Sequence, residues 1–103
     1  MPVYVDGARN GFRRMVMCHM LADTPDELHA MADKIGMQRR WYQSPDKASF
    51  PHYDLSLTRR LLAVSAGAKE LTRQELSAHM KRVKDELIAA GQTWKSSGWL
   101  NKD

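Results

Sequence analysis

Aspartate and histidine recur where this chain changes from one structural element to the next. Asp6 precedes Gly7, Asp23 precedes Thr24-Pro25, and one residue separates His52 from Asp54. Carboxylates joined by an imidazole form a donor set for Mg²⁺ or Mn²⁺, which take mainly oxygen ligands. A cation held in this way polarises a phosphoryl group and activates water. Arginines supply the complementary chemistry, with Arg13 in the loop after Asp6 and with Arg59 and Arg60 just past Asp54. Their guanidinium forks match phosphate oxygens bidentately. The expected site has Asp6, Asp23 and Asp54 as metal ligands and His52 with Asp54 as catalytic groups. Arg59, Arg60, Arg13 and Trp41 are the expected ligand-binding residues.

Each of these residues also has a plainer structural use. Asp6 with Gly7 can make a turn, and Asp23 beside a helix N-terminus is favourable without any ligand. Asp54 can cap the following helix, in competition with Ser56. On an extended segment His52 and Asp54 face the same way, about 6.6 Å apart, which suits a shared ligand or a local contact. His19 lies about 13 Å from Asp23 along a continuous strand, so the two cannot share a metal. It is read as a hydrogen-bonded, partly buried residue. His29 has Asp26 and Asp33 on adjoining helical turns and reads as a surface ion pair. His79 reads as structural and Cys18 as core. A single cysteine and the lack of H-E-x-x-H leave no zinc signature. Neither G-x-x-x-x-G-K-[ST] nor G-x-G-x-x-G occurs.

The elements that must position these groups follow from capping and periodicity. Tyr4 lies in a short strand that stops at Gly7, and Met15 to Ala22 is a mostly apolar run that fits a buried strand. Thr24-Pro25-Asp26-Glu27 opens a helix by capping box and N1 proline, and Gly36 stops it. Arg39 to Gln43, with Trp41, reads as a strand. A second helix is expected over Ser56 to Ala66, with Leu57, Leu61 and Val64 on its buried side. Ala68 to Leu71 is a short strand, and Thr72 to Glu75 a second capping box. That box opens a helix over Arg73 to Ala90. The expected core includes Leu28, Met31, Ile35, Leu61, Val64, Leu76, Met80 and Val83. Alternating strands and helices predict an α/β fold, with a small mainly parallel sheet of about four strands and three covering helices. Residues 1–91 are expected as one domain and 92–103 as a C-terminal tail carrying Trp94 and Trp99.

Composition bounds the rest. The 103 residues suit one domain, with 43% hydrophobic and 27% charged residues as in ordinary globular chains. One cysteine excludes a disulfide-stapled fold. The start lacks a signal-peptide pattern and no apolar run approaches membrane-spanning length, so the expected compartment is the cytoplasm, without a membrane partner. Net charge of +4 permits a nucleotide or nucleic acid as partner without requiring one.

One combination of motifs is more specific. Tyr4-Val5-Asp6, His19-Met20-Leu21-Ala22-Asp23-Thr24, Asp26-Glu27-Leu28-His29, Arg40-Trp41, His52-Tyr53-Asp54 and Gly67-Ala68 together resemble the domain-of-unknown-function family 4031. The resemblance covers roughly residues 3 to 76. It implies a small bacterial or phage protein and carries no activity with it. Two functions therefore stand. One is binding of a phosphate-bearing ligand, nucleotide or nucleic acid, with metal-assisted phosphoester hydrolysis. The other is a non-catalytic interaction protein acting on a host protein or nucleic acid through the basic loop, Trp94 and Trp99. Whether Asp6, Asp23, His52 and Asp54 line one cleft separates them.

Overall fold

The computed structural model describes residues 2–12 and 15–100. In chain order the elements are β1 (Val3–Val5), β2 (Asn10–Phe12), β3 (Met15–Ala22), α1 (Pro25–Lys34), a 3-10 turn at Arg39–Trp41, β4 (Tyr53–Ser56), α2 (Leu57–Ser65), β5 (Lys69–Glu70) and α3 (Arg73–Ala89). The sheet is mixed rather than mainly parallel. β3 pairs antiparallel with β1, β2 and β4, and only β1 and β5 run parallel. The reason is chain length, because Val5 and Met15 are too close in sequence for the crossover that parallel neighbours need. β3 therefore runs antiparallel to both β1 and β2.

Register fixes the layout. Met20 pairs with both Val5 and Tyr53, and Met17 pairs with both Asn10 and Ser56. β4 must then lie on one edge of β3, while β1 and β2 share the other, interrupted at residues 6–9. Strand alternation separates two faces. Val3, Val5, Cys18, Met20, Ala22, Tyr53 and Leu55 share the first and are buried in the core. Tyr4, His19, Leu21 and Asp54 share the second.

α1 packs its Leu28, Met31 and Ala32 into this core. Thr24 caps it by accepting from the Glu27 N–H, Pro25 occupies its first turn, and Gly36 leaves it in the left-handed region at φ 81°. The reciprocal capping box forms at α3, between Thr72 and Glu75. His29 is buried rather than ion-paired at the surface, and its Nδ1 is hydrogen-bonded to the Tyr53 hydroxyl at 2.8 Å. Burial pushes the Tyr53 hydroxyl up to about 12, so it stays protonated.

Three expectations fail here. Trp41 stands in the 3-10 turn, not in a strand, and strand geometry survives nearby only as the bridge between Gln43 and His52. Tyr53–Ser56 forms a strand that ends directly at a helix. In α2, Leu61 is 67% exposed and Leu57 and Leu62 are also exposed, while Ala63 is buried and Val64 is partly buried. The helix starts from β4 without a loop, so the strand sets its rotation. Its arginine-bearing side turns inward, where Arg60 bonds the Asp6 carbonyl and Glu70.

Residues 90–100 follow α3 mainly as turns. Trp99 is 2% exposed within the core, and its carbonyl accepts from the Tyr42 hydroxyl at 2.6 Å. Trp94 packs against the same cluster, edge-on to Phe50 and to Trp99. These two tryptophans are thus packing residues rather than a projecting contact arm. No helix among the described residues is long and apolar enough to cross a membrane.

Candidate functional site

The second face of the sheet carries one polar row. His19 on β3 is the direct cross-strand partner of Asp54 on β4. On the other side Asp6 continues the β1 ladder, its N–H donating to the His19 carbonyl at 3.1 Å. Asp6, His19 and Asp54 thus form a rung across three strands. His52 lies two residues before Asp54, so its ring faces the same way. It is held there by paired backbone bonds to Gln43 of 2.9 and 3.1 Å.

Both imidazoles are anchored through Nδ1. Asp6 is 4% exposed, and its Oδ2 lies 2.7 Å from His19 Nδ1. Its Oδ1 accepts from the His19 N–H at 2.8 Å and the Ala8 N–H at 3.2 Å. His52 Nδ1 donates to the Phe50 carbonyl at 2.7 Å. A carbonyl and an ionised carboxylate only accept, so each Nδ1 carries a proton. Both Nε2 atoms point towards Asp54 Oδ1, His52 at 3.3 Å and His19 at 3.9 Å. The rings meet edge to face, with centroids 5.1 Å apart. One ligand atom each from His19, His52 and Asp54 fall within 4.8 Å of one another.

Electrostatics agree with the geometry. Burial disfavours the Asp6 carboxylate, but the hydrogen bonds from the His19 ring and backbone outweigh it and hold its pKa below the usual range. The bond to Asp6 raises His19 against the opposing effect of burial, and the Asp54 charge adds to the rise. The hydrogen bond from His52 lowers Asp54, against burial, with further help from the charges of both rings.

The group opens into a cavity of about 660 Å³. Met17, Met37 and Trp41 supply apolar wall, while Arg40, Gln43 and Arg59 supply polar wall. The Arg59 guanidinium lies 5.5 Å from the Trp41 ring centroid.

The structure distributes the expected residues unevenly. His52, Asp54, Arg59 and Trp41 line this cavity. Asp6 supports His19 from behind, with both carboxylate oxygens already engaged. Arg60 is tied to the Asp6 carbonyl and Glu70 and does not line the cavity. Asp23 belongs to a different group, in which Arg82 at 2.6 Å and Tyr4 at 3.3 Å hold its carboxylate beside His79. The expected convergence of Asp23 with Asp54 fails because it assumed parallel strands delivering their ends to one edge. Arg13 lies outside the described residues. Sequence reasoning missed His19 and Arg40 as site residues. Reading β3 as antiparallel to β1 would have placed His19 opposite Asp6, which was the available signal.

No curated protein and no solved structure matches the chain. The family model described as "Protein of unknown function (DUF4031)" matches residues 3–83, most of the chain and all four residues of the polar group. This chain is a member of the DUF4031 family.

Proposed function

We propose that this protein binds a divalent metal ion through His19, His52 and Asp54 and uses it to hydrolyse a phosphoester on a phosphate-bearing ligand. The observation that carries the reading is the convergence of His19, His52 and Asp54, whose ligand atoms fall within 4.8 Å of one another while both imidazoles are anchored through Nδ1. Imidazoles that ligate metals are ordinarily oriented in this way by a carboxylate or carbonyl behind them. Two nitrogens and one carboxylate differ from the oxygen-rich set expected for Mg²⁺. They favour Zn²⁺ or another first-row ion, with Mn²⁺ still accommodated.

Three protein ligands leave positions for water and substrate. An ion bound there would lower the pKa of a water in its open position towards neutrality. The described residues that line the cavity include no carboxylate beyond Asp54. An ion held by His19, His52 and Asp54 would supply an activated water as the nucleophile, with Arg40 and Arg59 on the wall to hold the phosphoryl group.

Calorimetric titration of the purified protein with Zn²⁺ and Mn²⁺, paired with hydrolysis of bis-p-nitrophenyl phosphate, tests both halves. The expected result is one ion per chain, metal-dependent release of p-nitrophenol, and at least tenfold weaker binding in Asp54→Asn. Absence of binding, or equal affinity in the variant, overturns the metal site. Binding without hydrolysis overturns the catalytic half alone.

A further inference from the structure

We infer that the ligand is a mononucleotide, with its phosphate between the metal site and Arg59 and its base against Trp41. This rests on the metal reading above and extends it to the class of ligand. Three observations carry it. First, Arg59 borders the cavity with unsatisfied donors. Its Nε is buried and finds no hydrogen-bond partner among the described residues, and its Nη2 makes only a long bond of 3.4 Å to the Gly36 carbonyl. Beyond that long bond the guanidinium keeps Nη donors for an acceptor in the cavity that Arg59 lines. An oxyanion suits those donors, since the fork geometry of arginine matches phosphate.

Second, the wall beside Arg59 is flat and soft. Trp41 is 37% exposed, and Met17 and Met37 line the same cavity. Indole and thioether surfaces both make favourable contacts with aromatic rings. Base–aromatic stacking contributes substantially and tolerates any base. Arg59 already stands over the Trp41 ring. The cation and the aromatic surface are therefore within reach of one molecule, a nucleotide whose ribose separates its phosphate from its base.

Third, the cavity has room for more than a bare phosphate. A cavity of about 660 Å³ falls in the range that encloses small organic ligands, well beyond one inorganic anion. A ribosyl unit fills the space between the imidazoles and Trp41.

The test is calorimetric titration of the Mn²⁺-loaded protein with adenosine 5′-monophosphate, ribose 5-phosphate, adenosine and a single-stranded oligonucleotide. Binding of the metal itself is measured first on each protein. The expected result is that the nucleotide binds at least tenfold tighter than ribose 5-phosphate or adenosine. Trp41→Leu, which keeps apolar bulk but loses the π-face, should bring the nucleotide down to the ribose 5-phosphate level. It should leave ribose 5-phosphate and Mn²⁺ unchanged. Arg59→Gln should weaken both phosphates at least tenfold and leave adenosine and Mn²⁺ unchanged. Equal binding of nucleotide and ribose 5-phosphate, or an unaffected nucleotide in Trp41→Leu, overturns the base contact. Equal binding of nucleotide and adenosine, or unweakened phosphates in Arg59→Gln, overturns the phosphate contact. An oligonucleotide tenfold tighter than the mononucleotide overturns the free nucleotide as ligand. Failure to bind Mn²⁺ overturns the earlier metal reading, whereas Mn²⁺ binding without nucleotide binding overturns only this inference.

Discussion

Two histidine–aspartate groups lie along β3, one at His19 and the other just past its end at Asp23. Both join histidine to aspartate, but the first has two histidines and the second has one, together with Tyr4 and Arg82. At Asp23 the Arg82 guanidinium sits 2.6 Å from one carboxylate oxygen, and the Tyr4 hydroxyl donates to the other at 3.3 Å. His79 stands buried beside them, its Nδ1 3.5 Å from the carboxylate. The carboxylate is neutralised by a side chain that cannot lose its charge. At Asp54 no guanidinium intervenes among the described contacts, and two imidazoles face the carboxylate from within an open cavity. The protonation trends follow the same division. The bond to Asp6 raises His19, whereas burial lowers His79, with Arg82 adding to the fall and Asp23 opposing it. The Asp23 carboxylate is already paired with arginine, whereas the Asp54 carboxylate faces two imidazoles at an open cavity.

The contrast can be broken most severely at the ligands. His52→Ala should weaken Zn²⁺ binding more than about a hundredfold, while His79→Ala should leave it within twofold, as read by competition with a fluorescent chelator. A similar loss in both variants would erase the distinction between the groups. Asp6→Asn comes next. It keeps the shape behind His19 but removes the charge that orients its ring, so metal affinity should fall about 10–100-fold. Retained affinity in that variant would show that the Asp6–His19 pair is a structural contact like the one at Asp23.

The smallest effect is a pH dependence at His79. Its folded-state pKa is lowered by burial, so the unfolded chain takes up a proton more readily than the folded one. The contribution of the neutral ring is therefore complete above the ordinary histidine value of about 6.5. It is lost as pH falls through the lowered folded value. Urea unfolding between pH 7 and pH 5 should show a shallower acid-side loss of stability in His79→Gln than in the unmodified protein. A steeper loss in the variant would reverse the assigned direction.

The helices were legible because their ends are local. Thr24 with Pro25 and Thr72 with Glu75 start α1 and α3 within a few residues, and Gly36 and Gly91 take the left-handed turns that end them. Pairing between strands was not legible, because it depends on residues far apart in the chain. The connection before Met15 did carry a usable constraint, since so short a link permits only antiparallel neighbours. β4 was hidden because Tyr53 and Leu55 alternate for only four residues before α2 begins. The rotation of α2 misled for a different reason. Its leucines obey the helical period, but Arg60 finds partners on the inner side, at the Asp6 carbonyl and Glu70. Half of the candidate site shared this fate. His52 and Asp54 lie two residues apart and share a side by strand geometry alone. His19 joins them only through the β3–β4 register, and Asp23 leaves them for Arg82 on a distant helix.

The absence of a loop between β4 and α2 makes the span from Asp54 to Arg59 a ruler. Strand pairing holds one end, and the Ser56 cap bonded to the Arg59 N–H at 3.3 Å sets the first turn at the other. No intervening residue can absorb a change of length. An insertion after Ser56 would rotate Arg59 by about 100° around the helix, while Asp54 stayed in its rung. The separation between carboxylate and guanidinium is thus written into the residue count, and any molecule that bridges them is measured against it.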